Sequence, residues 1–142
     1  MSLDIQTIID DFAFLDDWED RYRYLIDLGR ELEPLADIER SDRTRVQGCV
    51  SQVWLVSEPA DGPDPVLVFR GDSDAHIVRG LVAVMLALYS GRHAGEILDI
   101  DAEQTLRTLG LDEHLTPQRA NGLRAMIDRI RKEAAAAREA AA

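Results

Sequence analysis

The chain has 142 residues, and its 27 acidic and 16 basic side chains give a net charge of −11. So negative a chain is not expected to bind nucleic acid, whose phosphates require a basic face. The length fits one domain over residues 1–142, and the longest apolar stretch, 81–89, is too short to span a membrane. A single cysteine allows no intramolecular disulfide, so a reducing cytoplasm is the expected location.

The first third of the chain predicts two amphipathic helices. Apolar residues recur at three- and four-residue steps over residues 5–15 and again over residues 18–32, which is the spacing that places them on one face of a helix. Asp16 or Asp17 can cap the second helix, and Pro34 ends it because proline disrupts a helix interior. We expect both helices to pack on a core through their apolar faces.

A small region of sheet is predicted after these helices. Residues 35–44 are polar and lack periodicity, which indicates a loop. Residues 50–56 and 66–69 are rich in β-branched and aromatic side chains and predict two strands. The turn-forming residues 59–63 lie between them, so we expect the strands to form an antiparallel hairpin.

A long helix is predicted next, over residues 75–89. Its apolar side chains occur on nearly every face, so it should be the central, buried helix. Asp72, Ser73 and Asp74 precede it and are expected to cap its N-terminus, and Gly91 is expected to close its C-terminus.

Three further helices are predicted in the last third of the chain. Two short ones cover residues 94–98 and 102–109, and the last begins with Thr116 as cap and Pro117 at its first position. Residues 134–142 are alanine-rich and offer no large apolar side chain for packing, so this tail is expected to fray. Together the elements predict a single α+β domain with helices packed on a small, mainly antiparallel sheet.

The one cysteine, Cys49, follows Gly48 in the segment 45–54, with the sequence RVQGCVSQVW. Glycine allows a sharp turn and leaves the sulfur approachable. A lone cysteine is nevertheless more often a small buried apolar residue than a nucleophile, so the residue type alone leaves both roles open. If the thiol is reactive, Val50, Val53 and the central helix are candidates for the walls of a pocket that shields it.

The segment 45–54 resembles the signature of the SufE family, the sulfur acceptors that serve cysteine desulfurases in iron–sulfur cluster assembly. Residues 71–81 are similar to the second block of that family, and residues 114–127 to its third. With the helix predicted over 18–29, these blocks span most of the chain in the order of the family. The chain departs from the family in the loop 57–65 and in its alanine-rich tail.

The resemblance implies a fold related to that of IscU-type scaffold proteins and a role as sulfur carrier. In the family, a pyridoxal-phosphate-dependent cysteine desulfurase of the SufS or CsdA type supplies the sulfur, and the SufBCD complex receives it. Cys49 would accept sulfane sulfur as a persulfide and stimulate the desulfurase, without being an enzyme itself. No cofactor is expected, because C–S cleavage belongs to the pyridoxal phosphate of the partner. Which desulfurase is the natural partner stays open, and so does a homodimer.

Six residues are candidates for support of the thiol or for partner binding, and Gly48, next to the cysteine, is one of them. Arg45 and Arg119 could stabilise a thiolate if they fold near it, although surface arginines paired with the many acids are the simpler interpretation. Ser51 and Gln52 could orient the loop through polar contacts. The resemblance implies that Asp74 borders this loop and influences whether it is open or closed.

Other chemistries find less support in the sequence. His76, His93 and His114 share no ligand spacing with each other or with Cys49, so no metal site is predicted. No glycine-rich phosphate loop with its lysine follows a strand, and no signature supports a Cys–His hydrolase. The main alternative is an IscU-like regulatory module that binds a partner without transferring sulfur.

Overall fold

The computed structural model describes residues 4–141, which combine helices with a three-stranded antiparallel sheet. The helices are α1 (Ile5–Phe14), α2 (Trp18–Arg30), α3 (His76–Tyr89), α4 (Ala94–Asp99), α5 (Ala102–Leu109), α6 (Leu111–His114) and α7 (Pro117–Ala141). The strands are β1 (Val53–Pro59), β2 (Val66–Ser73) and β3 (Arg92–His93), and a 3-10 turn covers Asp37–Glu39. The predicted α+β class is confirmed. Within residues 4–141, no helix has both the length and the apolar character needed to cross a membrane.

The two predicted N-terminal helices are confirmed, and an aspartate caps each of them. Asp4 accepts a hydrogen bond from the backbone of α1, and the Oδ1 of Asp17 accepts one from the Glu19 amide at 3.0 Å. Ile8 and Phe12 carry the buried face of α1. These carboxylates satisfy amide groups that a helix N-terminus leaves without an internal partner.

The predicted hairpin is also confirmed, with shifted ends. β1 and β2 pair antiparallel with Val53 opposite Ser73 and Pro59 opposite Leu67. β1 begins three residues later than predicted, because residues 50–52 belong to the loop that carries the cysteine. β3, which periodicity did not predict because it has only two residues, adds to the other edge of β2.

The central helix α3 is buried on nearly every side, as predicted. α2 crosses it in close contact at two glycines. A Cβ atom at Gly29 would lie 2.7 Å from the Gly80 nitrogen, and a Cβ at Gly80 would overlap the carbonyl group of Leu25. Only a residue without a side chain permits the two helix backbones to approach this closely.

The expected capping of α3 by two aspartates is wrong. The cap position is Ala75, which has no capping side chain, although Ser73 Oγ accepts a 3.3 Å hydrogen bond from the Ala75 amide. β2 runs on through Ser73, so Asp72 lies in the sheet and Asp74 in the bend that follows it. Neither carboxylate therefore caps the first turn of α3 by accepting a hydrogen bond from its backbone amides.

The start of α7 agrees with the prediction. Thr116 Oγ1 accepts a hydrogen bond from the Arg119 amide at 3.3 Å, and Pro117 is the first helical residue. The helix continues to Ala141, so the alanine-rich tail is helical as far as this residue, and fraying of the tail stays a prediction. Ala134 is fully buried, and the following turns lie beside the β1–β2 turn, where small side chains allow close packing. Residue 142, the last of that tail, lies outside the described residues.

We predict that Gly80→Ala lowers the free energy of unfolding by about 1–3 kcal/mol, as overpacking of a filled core does. Helix propensity alone would give the opposite sign, because alanine is the better helix former. Urea denaturation measures the difference. Gly95→Ala in α4 is the control, since its added methyl group meets only the flexible carboxylate of Asp64. A stabilised Gly80→Ala variant would show that α2 and α3 do not depend on this contact.

Candidate functional site

Cys49 lies in a six-residue loop, residues 47–52, which we call the cysteine loop. The loop is closed by a 2.8 Å hydrogen bond from the Val46 amide to the Val53 carbonyl. Next to this bond Arg45 pairs with Trp54 as an isolated antiparallel bridge. The cysteine loop is therefore the end of a second, short hairpin, formed by the residues just before it and by β1.

Gly48 makes the turn that presents the cysteine. Its φ angle of +94° lies in the left-handed region, which glycine adopts without a steric penalty. A Cβ atom at this position would also lie 3.3 Å from the Cβ of Ala125 in α7. The glycine before Cys49 thus allows both the turn and the close approach of the loop to α7.

The thiol of Cys49 is half-buried against α7. Its S–H group donates to the carbonyl oxygen of Gly122, with 3.5 Å between Sγ and oxygen. Burial raises the pKa of the Cys49 thiol above its ordinary value, and the positive charge of Arg45 opposes that rise. In the free protein the thiol is therefore mostly protonated at neutral pH, and as the thiolate is the nucleophile, its reactivity is low.

A pocket of about 230 Å³ opens beside the sulfur. It lies between the cysteine loop and the first halves of α3 and α7, and its lining is formed by Cys49, Val50, Ser51, Val78, Leu81, Thr116, Gln118, Arg119, Gly122 and Met126. Val50, which is 76% exposed, forms part of the wall as expected, whereas Val53 is buried in the core. The pocket leaves room beside the thiol for further atoms.

The end of the cysteine loop is fixed to the bend after β2. Asp74 Oδ1 accepts a hydrogen bond from the Gln52 amide at 3.0 Å, and the Asp74 amide donates to the Gln52 carbonyl at 3.3 Å. Ser73 Oγ donates to that same carbonyl at 2.6 Å. The backbone of Gln52, rather than its exposed side chain, is what holds the loop.

Asp72 anchors the chain that leads to the loop, a role that sequence reasoning missed. Its buried carboxylate accepts a hydrogen bond from Arg40 at 2.7 Å and lies 2.9 Å from Nε of Arg79 in α3. Burial by itself raises the pKa of Asp72, but hydrogen bonds from Arg40 and the Ser73 amide, with the charges of both arginines, lower it overall. No local pattern in the sequence indicates this role, because Arg40 lies 32 residues before Asp72.

Arg45 and Arg119 lie close to the thiol from different parts of the chain. Arg119 is exposed in the first turn of α7 and lines the pocket, and the charge of Arg45 acts on Cys49. Within residues 4–141, neither guanidinium forms an ion pair with a carboxylate. The same residues hold no group of three or more His, Cys, Asp or Glu side chains arranged to bind a metal ion.

Comparison with known proteins gives the family of the chain. The family model described as "SufE: Fe-S metabolism associated domain" matches residues 6–134. The chain belongs to the SufE family. An uncharacterized SufE-like protein of Rhizobium meliloti is 58% identical over 131 residues, covering 92% of this chain and 94% of the relative. A second, from Rhizobium etli, is 56% identical over 131 residues, with 92% and 88% covered.

A solved structure has a similar fold. The solution structure of a hypothetical protein from Thermus thermophilus superposes with a TM-score of 0.69 and covers 94% of each chain. Because the sequences are only 22% identical, this likeness concerns the fold alone. The family places the protein in Fe–S metabolism.

We predict that Asp74→Ala makes alkylation of Cys49 by iodoacetamide roughly 2- to 10-fold faster, because one hydrogen bond that closes the loop is lost. The rate is followed by mass spectrometry on the folded protein. Asp64→Ala is the matched control, since Asp64 Oδ1 accepts a comparable 2.8 Å hydrogen bond from the Gly95 amide at the hairpin turn. Equal rates for wild type and Asp74→Ala would exclude a role of this carboxylate in closing the loop.

Proposed function

We propose that this protein is a sulfur carrier, in which Cys49 accepts sulfane sulfur from a cysteine desulfurase as a persulfide. The observation that carries the proposal is the position of the thiol at the turn of a loop, beside a pocket of about 230 Å³. Membership of a family associated with Fe–S metabolism supports the same role. An extra sulfur atom on Sγ would extend into this pocket, where Val78, Leu81 and Met126 offer apolar contacts.

The proposed transfer is an exchange between a thiolate and a persulfide. The Cys49 thiolate attacks the terminal sulfur of the partner's persulfide, R–S–SH. A bond forms between Sγ and that sulfur while the S–S bond of the partner breaks, which yields Cys49–S–SH and the thiolate R–S⁻. The proton stays on the transferred sulfur, and no external oxidant or reductant is consumed.

The partner supplies the difficult chemistry in this proposal. A desulfurase of the SufS or CsdA type cleaves the C–S bond of cysteine with its own pyridoxal phosphate, so this chain needs no cofactor. The persulfide is then passed to a SufBCD-type scaffold in the cytoplasm. Because the free thiol is shielded and has a raised pKa, the partner must open the cysteine loop or hold the two sulfurs in line.

Docking of the desulfurase is proposed to use the surface around Cys49. Val50 offers an exposed apolar contact there, and Arg45 and Arg119 offer positive charges that no carboxylate among residues 4–141 neutralises. In a chain of net charge −11, free arginines at this point favour an acidic segment of the partner. Ser51, Gln52, Gly48 and Asp74 shape the loop that this partner must engage.

We predict that Cys49 gains one sulfur atom, about 32 Da, on incubation with a desulfurase and cysteine, and that dithiothreitol removes it again. Intact-mass spectrometry records the adduct. Cys49→Ser is the control and should remain unmodified. An unmodified wild-type protein, or an equal adduct on Cys49→Ser, would refute the sulfur-carrier proposal.

The same variant separates the carrier from a regulatory binding module. A module that acts only by binding would stimulate the desulfurase equally with Cys49 or serine at this position. A carrier loses its stimulation with serine, because the enzyme's persulfide is no longer discharged. No structural feature favours the module over the carrier.

We predict that Arg119→Ala raises the concentration needed for half-maximal desulfurase stimulation by roughly 10- to 100-fold, as loss of one charge-assisted contact does. The melting temperature should change little, because a cation in the first turn of a helix does not favour the helix dipole. Arg138→Ala, an exposed arginine near the far end of the same helix, is the control. A variant that melts early yet stimulates normally at low temperature would assign Arg119 to stability instead.

A further inference from the structure

Residues 44–46, which lead into the cysteine loop, pair with β1 along one edge, and their other edge faces away from the sheet. Hydrogen bonds from the Val46 amide to the Val53 carbonyl and from the Leu55 amide to the Thr44 carbonyl join this segment to β1, each at 2.8 Å. They flank Arg45, whose own backbone groups therefore point away from β1. The Arg45 amide donates to the Ser41 carbonyl at 3.0 Å. The Arg45 carbonyl also points away from β1, so its hydrogen-bond donor must come from another part of the fold.

Arg129 of α7 is that donor. One of its terminal nitrogens donates to the Arg45 carbonyl at 3.2 Å, and the other donates to the carbonyl of Arg43. Its Nε donates to Glu133 Oε1 at 2.9 Å, and Oε2 of this glutamate accepts from Ser57 Oγ of β1 at 3.0 Å. The bond between Nε and Glu133 thus fixes the plane of the guanidinium, so that its two terminal nitrogens face the backbone of the segment that leads into the loop.

The same face of α7 carries the other contacts with the loop. Gly122, Ala125 and Arg129 follow one another at steps of three and four residues, which places them in one row along the helix. Gly122 accepts from the thiol, and Ala125 lies against Gly48. A thiol is only a weak donor, and contact with a glycine contributes little, so the two bonds of Arg129 are the strong part of this attachment.

We propose that Arg129 is a positioning residue for Cys49: it fixes the incoming segment of the cysteine loop to α7 and thereby holds the thiol over Gly122. The bonds of Gln52 fix the other end of the loop to the bend after β2. With both ends held, the thiol has one resting position beside the pocket. The functional meaning of this positioning rests on the proposed sulfur-carrier function. The test of the positioning itself requires no sulfur transfer.

Alkylation of Cys49 by iodoacetamide in the isolated protein tests the proposal. Arg129→Ala should be alkylated roughly tenfold faster than the wild type, since the two carbonyls lose their charged donor and the loop leaves α7 more often. Arg129→Lys keeps the charge but cannot donate from a planar fork to both carbonyls, so its rate should lie between those two.

Arg131→Ala is the matched control. Arg131 lies two residues further along the same helix and donates to the Leu98 carbonyl at 2.9 Å, on the side of α4 rather than of the cysteine loop. It should lose a similar amount of stability in urea denaturation and leave the alkylation rate of Cys49 unchanged. Accelerated alkylation in Arg129→Ala but not in Arg131→Ala supports positioning, because general loosening of α7 would accelerate both.

Two results would overturn the proposal: an unchanged alkylation rate in Arg129→Ala, or equal acceleration in both alanine variants. If Arg129→Ala does not fold, the test uses Arg129→Lys. An alkylation rate of Cys49 in Arg129→Lys equal to that of the wild type would then overturn the proposal. Failure of persulfide formation on wild-type Cys49 would refute the sulfur-carrier function without altering these rates, so the two failures are distinguishable.

Discussion

The burial of α3 on nearly every side is the constraint on which the rest of the structure depends. A helix of 14 residues without a polar face must be covered by α2, by the sheet and by α7. Close cover requires small residues at these contacts. Gly80 of α3 provides one toward α2, and Gly71 of β2 leaves room for the Val82 side chain of α3. The first halves of α3 and α7 then border a corner beside β1, and Cys49 lies in that corner between Val78 and Gly122.

The cysteine loop is held firmly at its ends and weakly at its centre. Charged and hydroxyl groups hold the backbone on both sides of it, through Arg129 before the loop and through Asp74 and Ser73 after it. The thiol itself makes one weak hydrogen bond. This distribution suits the proposed sulfur transfer, in which the thiol would change partners while the backbone on both sides of the loop stays fixed.

Periodicity predicted the main helices and the hairpin, because these depend on local patterns of apolar residues. The prediction that Asp72 and Asp74 cap α3 is wrong, because the same short polar residues are used before a helix and at the end of a strand. The helical tail over 134–141 depends on the surface that its alanines meet, which composition does not show. The contacts of Arg129 are not predictable from the sequence, because its partners precede it by 84 and 86 residues and local patterns do not indicate contacts at that separation.

If Cys49 carries sulfur as proposed, its being the single cysteine of the chain has a consequence for how long a transferred sulfur atom stays in place. A protein with two neighbouring thiols discharges a persulfide by itself, because the second thiol attacks the first and sulfide leaves as an internal disulfide forms. This chain has no second thiol, so Cys49 cannot unload in that way. In the proposed transfer, the lifetime of the persulfide would then be set by outside thiols and by how often the cysteine loop opens to them. The attachment of the loop to α7 would govern how often it opens.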